Sequence, residues 1–223
     1  GGSSQAHLSA DGRFVAFESW ADNLVAPSSF PPAEGGQVYV CDLLTGVIEQ
    51  VSLAVGAPVT VPDQSSGEPS ISEDGRFVAF ASFASNLVAP FPNADALYSA
   101  NVYLRDRENA STVLVSQYGT AINGCGDGGA AYCYPGGSYR PAISANGRFV
   151  VFSSSSHRLL PESAATATQV FLFDRHGRRL RRLSVGDTGI PVGYCADPPA
   201  ISGDGQQVVY ATYASNLVAD DHN

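Results

Sequence analysis

Five of the twelve basic residues, all of them arginine, fall in one stretch: Arg175, Arg178, Arg179, Arg181 and Arg182, with His176 among them. Clustered guanidinium groups present planar donor pairs that match a carboxylate, a sulfated glycan or the acidic surface of a neighbour. With a turn at His176 and Gly177, strand alternation sends Arg179 and Arg181 to one face and Arg178, Leu180 and Arg182 to the other. The same charges also suit an outermost strand that must not pair at its edge. A second candidate surface is aromatic. Tyr132, Tyr134 and Tyr139 lie in or beside a glycine-rich insertion, and Tyr194 adjoins Cys195 in the corresponding linker one repeat later. Tyrosines on loops recognise sugars by stacking and proteins as buried anchors.

The four cysteines, Cys41, Cys125, Cys133 and Cys195, form no C-x-x-C pair and have no histidine at zinc-ligand spacing. An even count in an acidic, lysine-free chain points to disulfides and export, with Cys125–Cys133 across CGDGGAAYC the expected bridge and Cys41–Cys195 a weaker second. Reduced, buried thiols are the alternative. Nucleophilic catalysis has no foothold in a G-x-S-x-G elbow, an H-E-x-x-H pair or a phosphate-binding glycine loop. Asp42, Asp106 and Asp174 recur at equivalent places, each expected to accept hydrogen bonds from the N–H groups of the following turn. Such recurrence argues against a single active site.

The elements that must position these groups follow from a repeat. SADGRFVAFESWADNLVAP (9–27) returns as SEDGRFVAFASFASNLVAP (72–90), SANGRFVVFSSSSHRLLP (144–161) and SGDGQQVVYATYASNLVAD (202–220). A second motif, QVYVCDLLTG (37–46), NVYLRDRENA (101–110) and QVFLFDRHGR (169–178), follows the first three. Asp-Gly or Asn-Gly between apolar runs marks a tight hairpin. In 76–82 both faces of the strand are apolar, so each sheet is expected to be covered on both sides by copies of itself. Four short strands in each unit of roughly 60 residues, stacked in this way, are blades of a propeller. Trp20, where the other repeats carry Phe83, Ser155 and Tyr213, is expected to pack between blades.

At 223 residues, 44% hydrophobic, with 23 Gly and 14 Pro, the chain has the composition of one turn-rich all-β domain. A net charge of −9 repels a phosphate backbone, so nucleic acid is not an expected partner. No run of about 18 apolar residues is long enough to cross a bilayer as a helix. The units are read as repeat 1 (6–53), repeat 2 (68–117), repeat 3 (140–185) and a partial repeat 4 (199–223) within a single propeller domain or segment (1–223). The start GGSSQ is similar to the linkers between repeats, which favours a segment of a longer array. Three and a half blades leave apolar faces that must pack on something, self-association through the open ends included.

The segment S-x-D-G-R-F-V-A-F-x-S followed by V-Y-V-x-D resembles the WD40-like repeat of TolB-type β-propellers, and the continuation A-S-N-L-V resembles a bacterial subgroup of secreted tandem repeats. The resemblance implies an all-β propeller of four-stranded antiparallel blades, three complete plus half of a fourth. It also implies calcium-type oxygen ligands in the loop after N-L-V-A, a pattern kept here only in repeat 4, by Asp220, Asp221 and Asn223; repeats 1 and 2 carry Ala-Pro instead (Ala26, Pro27; Ala89, Pro90). The expected function is a non-catalytic binding or assembly module of an exported bacterial protein, extracellular, at the cell surface or periplasmic. It takes a protein or glycan through its loops or blade faces and needs no cofactor beyond that calcium. The competing readings are the propeller domain of a carbohydrate-active enzyme or peptidase, and a structural subunit of a surface fibre or sheath.

Overall fold

The computed structural model describes residues 1–25, 35–56, 61–91, 99–117, 136–156, 159–160, 167–186, 194–195 and 197–217. Within them every regular element is a strand. The first sheet runs β1 (Ser3–Leu8), β2 (Phe14–Ser19), β3 (Gln37–Asp42), β4 (Ile48–Gln50). The second runs β5 (Ser66–Ile71), β6 (Phe77–Ser82), β7 (Asn101–Asp106), β8 (Ser111–Leu114). The third runs β9 (Ser138–Ile143), β10 (Phe149–Ser154), β11 (Gln169–Asp174), β12 (Arg179–Arg182). A two-stranded sheet, β13 (Ala200–Ile201) and β14 (Val208–Val209), follows. Neighbouring strands in each sheet are adjacent in sequence and antiparallel, so these are three complete blades and the inner half of a fourth.

One turn opens every blade. In the first, Ser9 Oγ donates to Asp11 Oδ1 at 2.6 Å, the same oxygen accepts from Arg13 N at 3.0 Å, and Phe14 N donates to Ser9 Oγ at 2.8 Å. The set recurs around Ser72 and Asp74, Ser144 and Asn146, and Ser202 and Asp204. The glycine that follows takes a positive φ of +73, +72, +66 and +76° at Gly12, Gly75, Gly147 and Gly205, a conformation costly for any other residue.

The arginine after that glycine then clamps the end of the third strand. Arg13 reaches Asp42 at 2.7 Å, Arg76 reaches Asp106 at 2.8 Å and Arg148 reaches Asp174 at 2.8 Å, each through two nitrogens. The aspartates also accept the turn N–H groups of Leu44, Asn109 and His176, the role expected of them. The arginine hydrogen bond first, and the turn N–H groups after it, hold each of the three carboxyls down at about 2. A carboxyl that ionises more readily folded than unfolded, where it titrates near 4, stabilises the fold above that value and loses the contribution as pH falls toward 2. The urea midpoint is therefore expected to drop between pH 4 and pH 2, and to drop less steeply in Asp106→Asn; superimposable profiles would remove the clamp from the account.

Blades dock through their apolar faces. Phe14, Ala16, Val38 and Val40 of the first meet Ile71, Val78, Phe80, Tyr103 and Leu114 of the second. Phe77, Ala79, Val102 and Leu104 of the second meet Val150, Phe152, Phe171 and other residues of the third in the same way. All six residues of β6 are buried, as the two-faced apolar pattern predicts. Two contacts at these seams carry the repeat onward. The turn glycine of each blade lies on the phenylalanine ring of the one before, Gly75 on Phe14, Gly147 on Phe77 and Gly205 on Phe149. An arginine of the later blade covers the same ring, Arg107 over Phe14 at 4.8 Å and Arg175 over Phe77 at 4.1 Å.

Candidate functional site

β1, β5 and β9 are each bent by the same irregularity. Their pairing with the second strand slips between Ser4 and His7, between Gly67 and Ser70, and opposite Val151 and Ser153. At the slip sit Gln5, Glu68 and Arg140, with φ of +53, +53 and +56°. None is glycine, so each bulge holds a side chain in a left-handed conformation that costs on the order of 1 kcal/mol. The residue at the corresponding place in the fourth unit is Pro198.

These innermost strands line one open cavity, with Gln5, His7, Glu68, Ser70, Arg140 and Asp197 supplying its polar groups. Glu68 Oε2 accepts from Arg140 N at 2.6 Å and Ser70 Oγ accepts from Ile143 N at 3.1 Å, so the second blade is bonded to the third at the cavity wall. Partial desolvation lowers the pKa of the His7 imidazole. Towards the same end, two crevices open between blades. One is lined by Gln5, Glu18, Glu68, Phe83 and Tyr139, the other by Glu68, Tyr139, Arg140, Ser153, Thr168 and Cys195. The Ser153 hydroxyl, on a residue 5% exposed, has no hydrogen-bond partner among the described residues. Among the described residues no group of three or more His, Cys, Asp or Glu is placed to hold a metal ion.

Of the expected site residues, Tyr139 belongs here, its phenol pushed above its usual pKa by burial. Tyr194 lines neither the cavity nor the crevices described; it is exposed and packs its ring 4.9 Å from Tyr213. The arginine cluster is elsewhere. Arg178 lies exposed in the turn before β12, not on a strand face with Leu180 and Arg182 as expected; from Arg179 on the alternation holds, with Arg179 and Arg181 exposed and Leu180 and Arg182 half-buried. In the sheet order β12-β11-β10-β9 that strand is outermost and the cavity strand innermost, so arginines and Tyr139 do not form one surface. Tyr132, Tyr134, the Cys125–Cys133 bridge and the calcium ligands Asp220, Asp221 and Asn223 lie outside the described residues.

Two expectations are corrected. Cys41 and Cys195 carry free thiols: Cys41 is on β3 of the first sheet, while Cys195 pairs its backbone with Thr212 in an isolated antiparallel bridge and is buried against the third. That burial pushes its thiol pKa up, which keeps it protonated and unreactive. Trp20 is not buried between blades but 50% exposed, and the residues at its equivalent positions, Phe83 and Tyr213, are 39% and 66% exposed. They form an aromatic rim at the end of the second strand, beside the start of the first, where Trp20 N bonds Gly2 O and Phe83 N bonds Ser65 O. Sequence reasoning also passed over Glu18, which occupies the place of Ala81 and Ser153 on the following blades, and over the bulge set Gln5, Glu68 and Arg140. The signal available for both was departure from the repeat. At these positions the turns and clamps around them stay constant while the side chain changes in size and charge.

No family model matches this sequence, and no curated protein does. Solved structures do match in fold. The "putative TolB from Agrobacterium tumefaciens" aligns over 96% of this chain and 58% of its own at 15% identity and a TM-score of 0.50. An oligogalacturonate lyase in complex with manganese aligns over 91% of this chain and 45% of its own at 13% identity, TM-score 0.51. A puromycin-hydrolyzing peptidase of Mycobacterium tuberculosis aligns over 98% and 28% at 11% identity, TM-score 0.51. The chain thus spans less than two thirds of each of these proteins. The class defined by strands, repeats and neighbours is the β-propeller. Within it, the fold is of the TolB-like type.

Proposed function

We propose that this chain is a non-catalytic recognition module of an exported bacterial protein, and that it binds a polypeptide partner at the cavity end of the propeller. The observation that carries this reading is the unlike set Gln5, Glu68, Arg140 and Pro198 at one backbone position of four repeats, the first three of them held in left-handed backbone. Residues that serve the fold repeat here: the Ser-Asp turn, the Arg–Asp clamp and the buried Ser52, Ser116 and Ser184 bonded to Gln37, Asn101 and Gln169. The polar residues of the cavity do not, although the prolines next to them (Pro69, Pro141, Pro199) do, and the exposed aromatics of the rim supply the anchors that protein interfaces favour. A polar cavity with backbone and side-chain groups of both signs suits an extended peptide better than a polyanion.

The reading is tested by selecting random displayed peptides on the purified chain and re-measuring the enriched ones on Glu68→Gln/Arg140→Gln and on Leu44→Ala, an exposed residue of the β3–β4 turn that does not line the cavity. Peptides weakened about tenfold or more by the first variant and unaffected by the second are expected. Enrichment insensitive to the cavity variant, or none, would overturn it.

A second reading, assembly through the open face, rests on a separate observation. Leu8, Val15 and Phe17 stand where the second blade has Ile71, Val78 and Phe80; the latter are buried against the first blade, whereas Leu8 is 53% exposed and the other two are only partly buried. Sedimentation that does not change with concentration would dismiss it.

A further inference from the structure

We propose that the crevice between the first and second blades is a binding site for an alkylammonium group, in a partner the side chain of a lysine, held by Glu18 and Glu68 beside Phe83 and Tyr139. This deepens the recognition reading above, and rests on it, by naming the chemistry that one part of the same end accepts. Glu18 is 8% exposed, lines the crevice and makes no ion pair with any cation among the described residues. Buried carboxylates are ordinarily paired, because desolvation is far more costly than one hydrogen bond can offset. Burial pushes the Glu18 carboxyl pKa up, an effect that the backbone N–H of Glu68 only partly offsets.

The place for that carboxylate is built. Its oxygens lie against the backbone at Gly36 and Gly67, where a Cβ would collide with them, at 2.7 Å from Oε1 in the case of Gly36. Two glycines therefore admit the acid from both sides. The corresponding positions on the next two blades hold Ala81 and Ser153, and the equivalents of Glu68 are Gln5 and Arg140, so the first seam alone gathers two carboxylates. The other walls are aromatic. Phe83 is half-exposed at the mouth, Tyr139 closes the far side, and the Trp20 ring borders Gly36 beside Glu18. Paired carboxylates beside ring faces complement an ammonium cation on a flexible stem, which satisfies its charge at the acids and its methylenes at the rings. A metal ion is less well served, since the crevice offers two acidic side chains and no third ligand of that kind.

The test follows backbone amide shifts of the purified chain during titration with Nα-acetyl-lysine N-methylamide and with its norleucine counterpart, which has the same stem without the charge. Saturable shifts at Gly36 and Gly67 with the lysine probe, absent with the norleucine probe, are expected. Glu18→Gln should weaken the lysine probe about tenfold and Phe83→Ala by a smaller factor. If Glu18→Gln unfolds the chain, Glu68→Gln supplies the same comparison. Equal response to both probes, shifts confined to other residues, or undiminished binding by the folded glutamine variant would overturn the proposal. Peptides selected on this end that contain no basic residue would leave the recognition reading standing while this assignment fell.

Discussion

Gly75→Ala is expected to destabilise the protein by about 3 kcal/mol, and Gly12→Ala by only about 1 kcal/mol. The two glycines occupy the same turn of successive blades with the same φ, +72 and +73°, so the backbone cost of an alanine is common to both. Their surroundings differ. A Cβ at Gly12 meets nothing within 4 Å, whereas one at Gly75 falls inside the Phe14 ring's van der Waals envelope. That ring cannot swing away freely, because the Arg13 guanidinium lies 4.7 Å from its centroid and the Arg107 guanidinium 4.8 Å. Arg107 in turn is held to Glu49 of the first blade at 2.5 Å and to the Gly75 carbonyl. The extra 2 kcal/mol or so is thus the cost of prising two blades apart at one seam. Urea unfolding of the two variants at pH 7 measures the difference directly. Equal losses would mean that the turn, and not the seam, accounts for both glycines.

This double duty shows how far the sequence could be read. S-x-D-G-R-F announces a hairpin because serine, aspartate and glycine have local work that depends only on near neighbours in the chain, and all four hairpins stand where that work places them. What the glycine does for the preceding blade depends on a ring 61 residues upstream, Phe14 below Gly75, and no local pattern records it. The clamps fall between these cases: Asp42, Asp106 and Asp174 were legible as turn acceptors, while their arginines, 26 to 30 residues earlier, needed the sheet register to bring them opposite. The arginine hairpin drew attention because charge density is visible in one dimension. The cavity did not, since Gln5, Glu68 and Arg140 are single residues more than 60 positions apart that converge only once β1, β5 and β9 become the inner strands of adjacent blades. Trp20 was misplaced for a related reason. A large aromatic after an apolar strand reads as core, yet it lies one residue beyond the last β2 pairing, Ser3 with Ser19, where the sheet ends and solvent begins.

Phe80→Ala is expected to cost about 4 kcal/mol, and the homologous Phe17→Ala about 1 to 2 kcal/mol in dilute solution. Both rings stack on a tyrosine of the third strand in nearly the same geometry, Phe80 on Tyr103 at 5.8 Å and Phe17 on Tyr39 at 5.9 Å. Within its own blade each phenylalanine therefore has equivalent company. The second blade's pair is also sealed by the first, with Phe80 and Tyr103 wholly buried and the Tyr103 hydroxyl donating to Ala84 O at 2.8 Å. Truncating Phe80 opens a cavity that close-packed neighbours on both sides cannot fill, whereas water reaches the space left by Phe17. The difference between the two losses measures what one blade contributes by covering another. Should Phe17→Ala instead prove as costly as Phe80→Ala in dilute solution, the outer face of the first blade would have to be covered in the isolated chain. Should its cost grow with protein concentration, the cover would be a second copy, because only a bimolecular contact is strengthened by mass action.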